Sequence, residues 1–348
     1  MKNMRFLVFL GLLANLWCLV LADTVVYVSG YPNWALWKTQ LPLNNSRVLL
    51  YGHSVGDYYL IPSPDGKNLA ASDAGRVGIF DVNRPGIRRT IVTDANGFEF
   101  LGDWAMSGLG VLASRFPLDP QDMGCTYLGV YELRDGYRKR IVPPIPTDCD
   151  SAGSAKYSPD RSLLAIKGSG WLQVVKATPG SPTVLFKKKD NLASLPSIVW
   201  LDNNRFVLIG YHELVLVDVS KRTLTPWLHF WITSSLTYSK VRNRLYLTVM
   251  ATPKDDHALY SVAPNADRLE KLATPGLVNV TKVFGVTADG KTAIVLAKDP
   301  SAVSSTAKTG VSGIWAVDLD SGEHTLIAEG ATMAAILPSP ASTPKAGK

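Results

Sequence analysis

Apolar residues in this chain fall in short runs with alternating polar positions, and each run stops at Gly, Pro, Asp or Asn. From Tyr58 to Val92 the order is Tyr59-Leu60-Ile61, a polar turn, Asn68 to Ser72, a short turn over Asp73 to Gly75, Arg76 to Val82, and Arg88 to Val92. A period of two bounded by turn residues predicts β-strands, and no helical period of useful length interrupts it. Four strands therefore make one unit.

The same order can be walked forward. A second unit runs from Phe98 through Gly110 to Ser114, then a long loop, Thr126 to Leu133 and Arg138 to Val142. A third has Ala155 to Tyr157, Leu163 to Lys167, Trp171 to Lys176 and Thr183 to Phe186. The fourth takes Ile198 to Leu201, Arg205 to Gly210, Glu213 to Val219 and Leu224 to Leu228. Leu236 to Ser239, Arg244 to Met250, His257 to Val262 and Leu269 to Ala273 form the fifth. Val283 to Thr287, Thr292 to Ala297, Gly313 to Leu319 and His324 to Ala328 form the sixth. Met333 to Leu337 is a lone first strand, and Val25 to Ser29, Trp34 to Leu41 and Arg47 to Tyr51 supply the three it lacks. Repeats of roughly 40 to 50 residues predict a repeat architecture. The expectation is an all-β, seven-bladed β-propeller whose last blade joins both termini and so closes the ring against exposed sheet edges; six blades is the alternative if the N-terminal strands form a cap.

Three turns read almost alike: Ser63-Pro64-Asp65-Gly66-Lys67, Ser158-Pro159-Asp160-Arg161 and Thr287-Ala288-Asp289-Gly290-Lys291, each before an apolar strand. Carried by Ser63 to Ala71, Ser158 to Ile166 and Thr287 to Val295, this pattern resembles the WD40-like repeat of the TolB-type propeller family. The resemblance implies a propeller and says little of its function, since many functions share this fold.

Strand order sorts the loops. Turns after the first and third strands of each blade lie on one side of the disc, and those after the second and fourth lie on the other. The near-uniform turns occupy the first side. The second receives the dissimilar loops Arg115 to Gly124, Pro143 to Ser154, Thr252 to Asp256 and Lys298 to Val311. Binding groups concentrate on variable loops held by a rigid scaffold, so the candidate residues are Trp34, His53, Asp57, Asp73, Arg76, Arg115, Asp122, His212, Glu213, His229, Trp231, Asp255 and Asp256. Of the nine tryptophans, Trp37, Trp104, Trp200 and Trp227, at or near strand ends, read as packing between blades; turn-forming neighbours place Trp34 and Trp231 nearer loops.

Residues 1–22 carry Lys2 and Arg5, an apolar run broken by Asn15, and Leu21-Ala22 before Asp23. This pattern predicts a secretory signal cleaved after Ala22, a single domain over 23–338 and a flexible tail over 339–348, with a periplasmic or secreted location. No other segment is apolar enough to span a membrane. Cys18 leaves with the signal, and the remaining pair, Cys125 and Cys149, reads as a disulfide in an exported protein. It would close a loop of about 25 residues and stabilise by roughly 3 kcal/mol. Free thiols or a metal site are the alternative, although no histidine stands at ligand spacing. The formal charge of +7 falls to +5 once Lys2 and Arg5 are removed. Basic residues gather at Arg134 to Arg140 and Lys187-Lys188-Lys189, which read as a turn and an edge strand rather than a nucleic-acid surface.

Catalytic signals are sparse. The five histidines lack metal-ligand spacing, and no Ser or Cys sits in a nucleophile motif. Asp255-Asp256-His257 could serve acid and base roles, but in a charge-rich hairpin loop it reads as a solvated turn. Asp148-Cys149-Asp150 could approach a central channel, as in propeller lactonases that hold calcium with oxygen ligands. The first-strand residues expected to face that channel are Tyr58, Ser154, Ser197, Leu236 and Val283, with Glu99 the one acid. The expected function is non-catalytic binding of a protein or cell-envelope component through the loop-rich face, with no cofactor, no metal and no nucleic-acid partner. Two alternatives stand: a lactonase-type hydrolase with a channel metal, and a propeller subunit of a quinoprotein-like redox complex.

Overall fold

A computed structural model describes residues 23–29, 34–43, 46–52, 59–73, 76–91, 99–105, 110–115, 127–134, 137–141, 145–146, 154–168, 171–177, 183–189, 197–210, 212–302 and 310–338. Seven antiparallel sheets are arranged in a ring, and the described residues contain no helix. The chain opens with β1 (Thr24–Val28), β2 (Leu36–Gln40) and β3 (Arg47–Tyr51). Blade I follows with β4 (Tyr59–Pro62), β5 (Asn68–Asp73), β6 (Arg76–Asp81) and β7 (Arg88–Ile91). Blade II has β8 (Glu99–Trp104), β9 (Val111–Arg115), β10 (Tyr127–Arg134) and β11 (Tyr137–Arg140), plus β12 (Ile145–Pro146) on β10. Blade III has β13 (Ser154–Tyr157), β14 (Leu163–Gly168), β15 (Trp171–Lys176) and β16 (Thr183–Lys189). Blade IV comprises β17 (Ile198–Trp200), β18 (Arg205–Ile209), β19 (Glu213–Asp218) and β20 (Thr223–His229). Blade V comprises β21 (Ile232–Ser239), β22 (Arg244–Met250), β23 (Ala258–Val262) and β24 (Glu270–Lys271). Blade VI comprises β25 (Val278–Val286), β26 (Thr292–Asp299), β27 (Val311–Asp318) and β28 (His324–Glu329).

The last strand, β29 (Met333–Leu337), pairs with β1 in the register Thr24↔Leu337 through Val28↔Met333, making blade VII in the order β29-β1-β2-β3. The first and last described strands are thereby held in one sheet, and the protein is a seven-bladed β-propeller. Apolar side chains of this seam, Val26, Val28, Leu36, Ala335 and Leu337, pack with Leu69, Ala71 and Phe80 of blade I.

Burial follows position within the blade. Middle strands are covered by neighbouring blades on both faces, so β14 is buried at every residue and β22 at all but its ends; such strands read as continuous apolar runs. Outer strands are far more exposed, as in β3 and β20. The basic runs of the sequence lie on two of these, β11 and β16. Charged outer strands discourage edge pairing with other chains. Tryptophans tie blades together: Trp104 Nε1 donates to Ile61 O (2.9 Å), Trp200 Nε1 to Lys156 O (3.2 Å) and Trp227 Nε1 to Ala266 O (2.7 Å).

The boundaries differ from the sequence reading where bulges occur. β21 starts at Ile232 and β25 at Val278, with register shifts between Thr233 and Ser235 and between Val283 and Gly285. A bulge rotates the following side chains, and Leu236 and Val283, expected in the channel, pack in the core instead. The side chain of Glu99 lies outside the described set.

Candidate functional site

The three similar turns have one hydrogen-bond pattern. Ser63 Oγ donates to Asp65 Oδ1 (2.7 Å), Ser158 Oγ to Asp160 Oδ1 (2.6 Å) and Thr287 Oγ1 to Asp289 Oδ1 (2.7 Å). Each carboxylate also accepts a backbone N–H two residues on, from Lys67, Ser162 and Lys291. Burial works against these ionised carboxyls, yet the hydrogen bonds outweigh it and hold all three below the usual carboxylate range. The fourth position of each turn is left-handed: Gly66 at φ 67°, Gly290 at 78° and Arg161 at 62°. Glycine adopts this conformation at low cost, whereas arginine does not. Arg161 is held there by donating to Ala105 O (3.2 Å) and Trp104 O (3.3 Å) of blade II, with its guanidinium 5.5 Å from the Tyr157 ring centre.

On the opposite, loop-rich side, four of the sequence candidates meet between blades IV and V. His212 Nδ1–H donates to Trp231 O at 2.5 Å, and the two rings stack with centres 5.1 Å apart. Phe230 N donates to His212 O (2.8 Å) and Trp231 N to Met250 O (3.1 Å), while the Phe230 side chain plugs the core below. The backbone of this loop is thus pinned on both sides while the Trp231 side of it stays 42 % exposed. His229 Nδ1 lies 3.6 Å from Glu213 Oε2 beside it.

The other candidates occupy different sectors. Asp255 Oδ2 accepts from Thr252 N (2.8 Å) within the β22–β23 loop, and Asp256 is exposed there. Trp34, at φ 34°, packs against the apolar seam of blade VII. Asp73 and Arg76 are register partners at the β5–β6 hairpin, and Arg115 ends β9; the side chains of these three lie outside the described residues. So do His53, Asp57, Asp122 and both members of the expected disulfide, Cys125 and Cys149.

A second site went unnoticed in the sequence. On the turn side, the central channel widens into a cavity of about 790 Å³ walled by the ends of the innermost strands. Its polar lining includes Asp23, Asp103, Lys156 and Tyr238, set among Leu60, Phe284 and Ile336. Asp103 Oδ1 accepts from Trp104 N (2.7 Å) and Oδ2 from Tyr157 N (3.0 Å). Burial pushes its carboxyl up, opposed by the Tyr157 N–H and by the charges of Lys156 and Arg161. Burial pushes the Lys156 ammonium down, opposed by Asp103. Burial and the Asp103 charge together push the Tyr157 hydroxyl up to about 12. The register shift between Leu101 and Asp103 is what brings this acid into the channel; a lone bulge leaves no mark in an alternation pattern. No group of three or more His, Cys, Asp or Glu side chains able to hold a metal occurs among the described residues.

No protein-family model and no curated protein sequence matches the chain. Solved structures do. A candidate 6-phosphogluconolactonase from Bacteroides fragilis superposes with a TM-score of 0.60 at 14% identity, over 91% of this chain and 98% of that one. A puromycin-hydrolyzing peptidase of Mycobacterium tuberculosis gives 0.61 at 15% identity, over 91% of this chain and 53% of the peptidase, so the chain spans about half its length. TolB from Acinetobacter baumannii gives 0.52 at 12% identity over 91% and 67%. At these identities the likeness concerns the β-propeller fold alone, which the matched proteins put to dissimilar functions.

Proposed function

We propose that this protein is an exported propeller that docks a protein or cell-envelope component on its loop-rich face, with Trp231 as the anchor and His212, His229 and Glu213 as its polar surround. One observation carries the reading: an exposed indole stands on a backbone that is hydrogen-bonded from both neighbouring blades. Aromatic anchors on rigid supports supply much of the energy of protein interfaces, because little conformational freedom is lost on binding. Export rests on the leader pattern of residues 1–22. The lactonase-type alternative would need several oxygen ligands converging on the channel axis, whereas the described channel presents two carboxylates on different blades, Asp23 and Asp103, the latter with a lysine beside it.

The test is photo-crosslinking in the native envelope from a reactive amino acid at position 231, compared with one at Asp320 on the turn side. A discrete adduct from position 231 that H212A weakens, with none from position 320, is the expected outcome. Equal adducts from both positions, or none from 231, would overturn the reading.

A further inference from the structure

The turn-side cavity holds two charged groups that no close ion pair satisfies among the described residues. Asp23 is 8 % exposed; its Oδ2 accepts from Ala288 N at 2.9 Å, but its Oδ1 is buried without a hydrogen-bond partner. An orphaned buried carboxylate oxygen costs on the order of 1–3 kcal/mol or more, so its retention needs a reason. Across the cavity, the Lys156 ammonium has no carboxylate within 4.0 Å among the described residues; Asp103, whose oxygens accept from backbone N–H groups, acts on it only from a longer distance.

The two groups are far apart around the ring. Asp23 leads into β1 of blade VII, and Lys156 lies on β13 of blade III. Those blades are three steps apart in one direction and four in the other, the widest separation seven blades allow. Between them run apolar walls from Leu60, Ile61, Phe284 and Ile336. The cavity volume is within the range of small-molecule sites, which combine apolar walls with a few placed polar groups.

We propose that the turn-side mouth of the channel binds an elongated zwitterion, its ammonium at Asp23, its carboxylate at Lys156 and its apolar body along the wall between them. A compact zwitterion, with adjacent charges, could satisfy only one end. The electrostatics agree: burial pushes the Asp23 carboxyl up, with the Ala288 N–H opposing and Asp289 repulsion adding, and burial pushes Lys156 down. Each group is a charge that an opposite charge would relieve. This site is independent of the docking face on the other side of the disc.

Calorimetric titration of the processed full chain with γ-aminobutyrate, ε-aminohexanoate and ω-aminooctanoate tests the idea, after intact mass has fixed the N-terminus. Saturable binding should strengthen at least tenfold from the shortest to the best-fitting longer ligand. N-acetylating the amine or amidating the acid of that ligand should each weaken binding tenfold or more. D23N keeps the acceptor for Ala288 N and should lose affinity tenfold, as should K156M, while K156R should stay within a few-fold. The capped ligands probe the wild-type protein, so the test survives if a variant fails to fold. No saturable binding, indifference to chain length, or equal binding of capped ligands would overturn the proposal. So would unchanged affinity in D23N, which would mean that the chain's own α-ammonium, freed by cleavage after Ala22, answers Asp23.

Discussion

The two faces of the disc are built by opposite means. The turn face repeats one device: a Ser or Thr hydroxyl and an Asp carboxylate close each turn on themselves, so Ser63, Ser158 and Thr287 make superimposable sets of bonds. The loop face has no shared device, and its cluster between blades IV and V is held by bonds between loops, as when Trp231 ties His212 to Met250. Yet the cavity with buried charges opens on the repetitive face. Uniform turns make a stiff rim, and a stiff rim can keep a charged cavity open, whereas irregular loops supply shape on the outside. Regularity at the surface is therefore no sign that a face lacks a site.

Removing the ring closure should strike both faces at once. Truncation after Gly330 deletes β29, exposes the β1 edge and opens the seam around Ala335 and Leu337; loss of the cooperative thermal transition is expected, and an unchanged melt would contradict a shared last blade. The next largest effect belongs to the channel wall. A Cβ on Gly102 would run into the Ala155 backbone of the next blade, and since backbone cannot swing aside, G102A should cost about 3 kcal/mol in denaturant unfolding.

A lysine comparison sharpens the contrast in mid-scale. Lys167 is 2 % exposed, at the loop-side end of β14, and donates to Ile209 O at 3.3 Å; burial pushes its ammonium down to about 8. Between about pH 8 and its ordinary value of 10.5 the unfolded chain holds the proton that the fold releases, so stability rises with pH there. Wild type should gain on K167M across that window by up to about 3 kcal/mol, at roughly 1.36 kcal/mol per unit; parallel pH–stability curves would refute it.

The turn device should give about 1 kcal/mol. D65N should lose that much near neutral pH in urea melts. Because the Asp65 carboxyl is held low, its contribution exists above the unfolded value of 3.8 and vanishes as pH falls through the folded one. The gap between D65N and wild type should therefore close in strong acid. The smallest stability effect is expected on the loop face, where W231A should shift unfolding by less than about 0.5 kcal/mol in the same urea melts.

Much of the architecture was readable because it is local. Alternation over four to eight residues marks strands, and the Asp65, Asp160 and Asp289 turns mark hairpins, so blade count and strand order followed. The loop-face cluster was readable in part: His212, Glu213, His229 and Trp231 fall at strand ends that topology brings to one corner, although their pairing could not be foretold. Lys156 and Asp103 were missed for a physical reason. Each reads as an ordinary strand residue, and only the shift between Leu101 and Asp103 and the approach of blade III place them in one cavity.

Sequence by itself determined the repeat, because a strand and its tight turn depend on neighbours a few residues away. Only the tertiary structure decided where the charges lie. Asp23 and Lys156 are separated by more than a third of the chain, and they share a channel because β29 pairs with β1 and closes the ring. Such a meeting depends on twist, bulges and closure summed over seven blades, and no local pattern encodes that sum.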